Sequence, residues 1–162
     1  MDNRKIIIIA IVILIAASAL VMLMSMGSYE RVEITPNRTS IEVPSNHLTY
    51  HGDIEGIRFW KWNYGALVSY NSEELTNALG LSGLSLNVIN DLIKNGNSQN
   101  IDGFSVYVLN ANEMLDLLEI NYNGKIYCIP LANESTHDNI LIFSHDRDTA
   151  MHIAKSVEYK TD

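Results

Sequence analysis

His47 and His51 stand four residues apart with Asp53 just behind, and His145 is followed by Asp146, Asp148 and, seven residues on, His152. Imidazole and carboxylate groups are metal ligands, and an i, i+4 histidine pair on a helix presents both rings on one face. Residues 44–53, however, read as a polar loop, where that spacing has no geometric meaning. On a helix predicted over 146–158, His152 faces away from the apolar stripe Ala150, Ile153, Ala154 and Val157. Both clusters therefore read as solvated surface residues, and neither a metal nor a cofactor is assigned. Asp146 and Asp148 lack the glycine and further oxygen ligands of a calcium loop; they suit the first turn of a helix, where negative charge meets the dipole. Ser85 sits in Gly83-Leu84-Ser85-Leu86-Asn87, which begins like a nucleophile elbow and lacks its last glycine. The lone Cys128, between Tyr127 and Ile129, reads as a small buried hydrophobe in a strand. No phosphate-binding loop or dinucleotide fingerprint is present, no catalytic residue is assigned, and the chain leans away from an enzyme.

The most suggestive pattern is aromatic. In a strand over 57–63, alternate residues share a face, so Arg58, Trp60, Trp62 and Tyr64 would line one side and Ile57 and Phe59 the other. A stripe of tryptophan beside arginine is the composition of a ligand-binding face. The alternative is a central strand with both faces buried. Asn37-Arg38-Thr39 and Asn133-Glu134-Ser135 match the N-glycosylation pattern, which makes Asn37 and Asn133 acceptor candidates in an exported chain.

The chain of 162 residues, 47% hydrophobic and 19% charged with a net charge of −8, has the content of an ordinary globular domain. The acidic balance argues against a nucleic-acid partner. Residues 6–26 form an uncharged run in which twelve of 21 residues are Ile, Val or Leu. A helix of that length spans about 31 Å, close to the ~30 Å hydrocarbon core of a bilayer. Arg4 and Lys5 precede the run and the next basic residue is Arg31, which predicts a cytoplasmic N-terminus over 1–5 and a domain over 28–162 outside the cell. A signal peptide cleaved near Ala17-Ser18-Ala19 is the rival reading, and it exports the domain equally.

Within 28–162, hairpins are predicted for 29–35 with 39–43 and for 57–63 with 66–70. Further strands are expected at 104–109 and 139–143. Asn123-Gly124 predicts a two-residue type I′ turn joining 120–122 to 125–129. Helices are expected over 71–79, where Asn71 and Glu74 form a capping pair, and over 85–94, 114–118 and 146–158. The predicted class is α+β: a transmembrane helix, then one domain with a mainly antiparallel sheet covered by three to four short helices.

The Ile-rich run, Glu33-Ile34-Thr35-Pro36-Asn37, Ser40-Ile41-Glu42-Val43-Pro44, Trp60-Lys61-Trp62-Asn63 and the closing Ala150-Met151-His152-Ile153-Ala154-Lys155-Ser156 resemble small membrane-anchored proteins of methanogenic archaea. That resemblance carries no assigned activity and no site residues. The expectation is a single-pass, extracytoplasmic, non-enzymatic module of the cell envelope. Its partners would be the lipid bilayer through 6–26 and cell-wall glycan or another envelope protein. The alternatives are a subunit of a membrane complex and an envelope hydrolase.

Overall fold

A computed structural model describes residues 28–35, 38–54, 56–79, 97–110 and 122–160. Among them the elements are β1 (Tyr29–Glu33), β2 (Ser40–Pro44), β3 (Thr49–Ile54), β4 (Ile57–Trp62), β5 (Gly65–Asn71), α1 (Ser72–Leu79), β6 (Asn97–Ile101), β7 (Phe104–Asn110), β8 (Lys125–Asn133), β9 (Asp138–Ser144) and α2 (Arg147–Lys155). The strands β3-β4-β5-β9-β8-β7-β6 form one seven-stranded sheet in that spatial order, and β1-β2 form a separate two-stranded hairpin. Every pairing is antiparallel.

The central strands carry buried apolar side chains on both faces of the sheet. In β9, Ile140 and Ile142 point to one face, and Leu141 and Phe143 point to the other. The first face packs Trp60, Trp62, Leu67, Val106 and Ile129 against Ile41 and Val43 of the hairpin and Ala150, Met151, Ile153 and Ala154 of α2. The second face gathers Ala66, Leu109, Ile126, Cys128, Leu141 and Phe143. Pro130 is tolerated in β8 because the ladder to β7 stops at Cys128, so a missing N–H costs no bond on that side.

Polar groups fasten the hairpin to the sheet. Asp138, fully buried at the start of β9, accepts hydrogen bonds from Thr39 Oγ1 (2.7 Å), Thr35 Oγ1 (3.2 Å) and Asn71 Nδ2 (3.0 Å). Ser69 Oγ donates to the carbonyl of Ile34, and Ser40 and Glu158 exchange backbone hydrogen bonds. The half-buried Tyr159 has its pKa raised by desolvation and by the Asp138 charge.

Helix α2 starts at Asp146, an N-cap in extended conformation whose carboxylate accepts from the Thr149 amide at 2.7 Å. It stops at Ser156, short of the predicted 158, because Glu158 is drawn into the bridge with Ser40. Helix α1 begins where expected: Asn71 Oδ1 accepts from the amides of Glu73 and Glu74.

Several expectations are corrected. Two helices, not three to four, are present among the described residues, and the helices predicted over 85–94 and 114–118 lie outside them. No helix among the described residues is long and apolar enough to cross a membrane. The longest, α2, has nine residues, about 14 Å at 1.5 Å per residue against a core of ~30 Å. The span predicted over 6–26 lies outside the described residues. The single-pass topology, the cytoplasmic N-terminus with an external domain, the bilayer as partner and the envelope role built on them are accordingly withdrawn. So are cell-wall glycan and envelope-protein partners, which followed only from export.

The Asn123-Gly124 hairpin is also corrected. A type I′ turn needs positive φ at both central residues, and neither has it. Strand β8 pairs instead with β7 and β9. The turn of that type is Asp102-Gly103 (φ 50° and 87°), joining β6 to β7. The second half of the loop predicted over 44–53 instead belongs to β3 (Thr49–Ile54), a strand with a register break between Tyr50 and Asp53.

Cys128 is a core residue, and burial pushes its thiol up to about 12. Because the thiolate is the reactive form, iodoacetamide is expected to label native Cys128 roughly a hundredfold or more slower than the urea-unfolded chain. Equal rates would show that β8 is open.

Candidate functional site

Strand β4 does place Arg58, Trp60 and Trp62 on one face, since pairing with β5 is unbroken from Ile57 to Trp62. That face is covered by the hairpin and leaves Trp60 and Trp62 only 5% and 4% exposed. Trp60 lies under Tyr50 with ring centroids 4.8 Å apart. Trp62 folds back over Gly65, its partner across the turn. The exposed aromatics are Tyr50 (51%) and Tyr64 (41%). Arg58 is directed to Glu74 of α1, 3.7 Å away. The four residues thus do not form one open platform. Arg58 and Trp60 line one pocket beside the hairpin, Trp62 lines another, and Tyr64 lines neither.

The first pocket, about 470 Å³, has Trp60, Tyr50 and Arg58 on its sheet side and Glu30, Val32 and Glu33 on its hairpin side. The second, about 490 Å³, lies at the N-terminal end of α2. There Trp62 and Asn63 meet Tyr29 and Pro44 of the hairpin and Asp146, Asp148, Thr149 and His152 of the helix region. His145 completes it.

The second pocket is the more strongly built. Its wall is held by a network crossing three elements: His152 Nε2–H donates to Glu42 Oε2 (2.9 Å), and Arg31 donates to Glu42 Oε1 (3.1 Å). The Tyr29 ring lies 4.0 Å from the His152 ring, centroid to centroid. The His152 hydrogen bond holds the Glu42 carboxyl below its ordinary range against a smaller opposing effect of burial, with Arg31 adding to the depression. On the other side Tyr64, in a left-handed conformation (φ 58°), brings its ring against His145 (5.3 Å) and Tyr122 (5.4 Å). Tyr122 and His145 close the triangle at 5.5 Å. Burial alone would raise Asp146, but its hydrogen bonds with Thr149 and the nearby His145 hold it below the usual value, so it stays anionic.

His145, Asp146, Asp148 and His152 are therefore brought to one pocket, and His152, exposed as expected, is also hydrogen-bonded to Glu42. His47 and His51 are elsewhere; the His51 ring packs on Phe59 at 5.3 Å. No group of three or more potential metal ligands is found among the described residues. Tyr29 and Glu42 were invisible to sequence reasoning because their partner His152 is more than a hundred positions away. Asn133 is half-buried, with its side-chain oxygen accepting from the Ser135 amide, the Ser135 hydroxyl and the Thr136 amide. Asn37 lies outside the described residues.

No protein-family profile, no curated protein and no solved structure matches this chain. The resemblance to membrane-anchored archaeal proteins is therefore withdrawn: nothing matched supports it, and the anchor that carried it is not among the described residues.

Proposed function

We propose that this domain binds a small organic cation, an amine or guanidinium on a flat or apolar body, in the pocket between the hairpin and the start of α2. One observation carries the reading: two carboxylates and several aromatic rings converge on a pocket that no lysine or arginine lines. A carboxylate beside ring faces and edges suits a cation whose stem is apolar, since charge pairing and the ring quadrupole act together. The side-chain amides of Asn46 and Asn63 at the rim can fix its orientation. In this reading Trp62 is the floor, Tyr64 shapes the wall through His145, and Asp148 supplies charge. Asp148 is solvent-facing and its partner Arg147, 3.3 Å away, is also exposed, so exchanging that partner for a ligand costs little. Arg58 and Trp60 belong to the first pocket and are not assigned a part in this binding.

The test is calorimetric titration of the protein with phenethylamine, phenylethanol and phenylacetate. The amine is expected to bind at least about tenfold more tightly than either analogue, and Asp148→Asn to remove most of that preference. Equal binding of all three, or an unchanged preference in the variant, would overturn the reading.

A further inference from the structure

Among the described residues, the two edges of the seven-stranded sheet, β3 and β6, are built differently. Strand β3 is a poor template for another strand: its register breaks between Tyr50 and Asp53, and Gly52 has φ 90°. Bulges and kinks of this kind close a sheet edge to further pairing. Strand β6 has none of these devices. It runs in unbroken register with β7 over all five residues, and Asn97, Ser98, Gln99 and Asn100 are exposed. It carries no charge and no proline, and neither does β7 beside it. In a chain of net charge −8 this neutral, regular edge is where two like-charged molecules can approach with least repulsion.

We propose that β6 is a self-association edge, pairing antiparallel with β6 of a second copy across a twofold axis at Gln99. The backbone supports this register. In the two-residue hairpin at Asp102-Gly103 the flanking Ile101 and Phe104 are the hydrogen-bonded pair. Alternation then turns the N–H and C=O of Ser98 and Asn100 outward. With Gln99 on the axis, Ser98 of each copy faces Asn100 of the other, so both outward residues exchange both bonds. The pairing is isologous, which lets it close as a dimer instead of extending into a fibre. Like side chains meet only at Gln99, whose amides can donate and accept at once.

The test uses the whole protein and its thiol chemistry. A non-hydrogen-bonded antiparallel pair has Cα atoms about 4.5 Å apart, within disulfide range. Gln99→Cys is expected to form an intermolecular disulfide under mild oxidation, with the buried Cys128 giving no background. Asn97→Cys, which faces Ile101 of the other copy, is expected to crosslink at least tenfold more slowly. Sedimentation equilibrium should show a concentration-dependent dimer, weakened tenfold or more by Gln99→Lys, which puts like charges on the axis, and by Ser98→Pro, which removes an outward N–H that β7 does not use. A protein that stays monomeric at hundreds of micromolar, a dimer indifferent to both variants, or equal crosslinking of the two cysteine variants would overturn the proposal. So would a Gln99→Lys variant that loses capture of an unrelated extended peptide but not its dimer.

Discussion

Asp138→Ala is expected to cost about 3–5 kcal/mol of folding stability, the largest single-site loss argued for this molecule. The carboxylate is fully buried and is the common acceptor for Thr35, Thr39 and Asn71, which come from the hairpin and from β5. Removing it leaves the two threonine hydroxyls and one hydrogen of the Asn71 amide without their acceptor, while Asn71 keeps the Thr136 carbonyl; each buried donor left unsatisfied costs about 1–3 kcal/mol before a water enters. Asp138→Asn should cost less, about 1–2 kcal/mol: its oxygen still accepts from Asn71, and the hydroxyls of Thr35 and Thr39 can rotate to accept from the new amide. Urea unfolding of the three proteins checks this. A loss below about 1 kcal/mol for Asp138→Ala would mean that the apolar contacts of Ile34, Ile41 and Val43, with the remaining hydrogen bonds of Ser69 and Ser40, suffice to hold the hairpin. The consequence reaches the pocket, because Tyr29, Pro44 and Glu42 stand on this hairpin. An Asp138→Ala protein that is still folded should bind phenethylamine more weakly without any change at the pocket itself.

What could be read in the sequence and what could not divide along the range of the interactions. The hairpins around 36–37 and 63–65, the strands near 104–109 and 139–143, the cap at Asn71 and the apolar stripe of α2 are local patterns, and they appear where alternation and capping place them. Strand β6 was missed because Asn97–Ile101 has no apolar alternation: it is an exposed edge with nothing to bury, and only the Asp102-Gly103 turn after it signals a hairpin. The Asn123-Gly124 dipeptide carried the stronger signal and failed, since the ladder of β8 with β9 overrides a local turn preference. The tryptophan stripe was ambiguous for a similar reason. Alternation puts Trp60 and Trp62 on one face of β4, but which face the hairpin covers depends on Thr35, Thr39 and Asp138 meeting across about a hundred residues.

Gly65→Ala is expected to destabilise the protein by about 2–3 kcal/mol and to abolish cation binding together with it. A Cβ at Gly65 would stand 2.3 Å from Trp62 Nε1, 2.4 Å from Cε2 and 2.7 Å from Cζ2. The obstacle is an indole ring, not the backbone, so the cost depends on whether the ring can move. It cannot move cheaply: Trp62 is 4% exposed and packed into the face shared by the hairpin and α2. The same ring edge floors the pocket at the start of α2. Displacing it therefore couples a core defect to the binding site, and a double-mutant cycle separates the two. If the clash with the indole is the cause, Trp62→Leu should cost less in the Gly65→Ala background than in the wild type, with a coupling of about 1 kcal/mol or more. Additive losses would put the effect of Gly65→Ala in the turn itself. Trp62→Leu alone should keep the carboxylates in place and lose the aromatic floor, so its residual preference for phenethylamine over phenylethanol measures how much of the selectivity comes from charge.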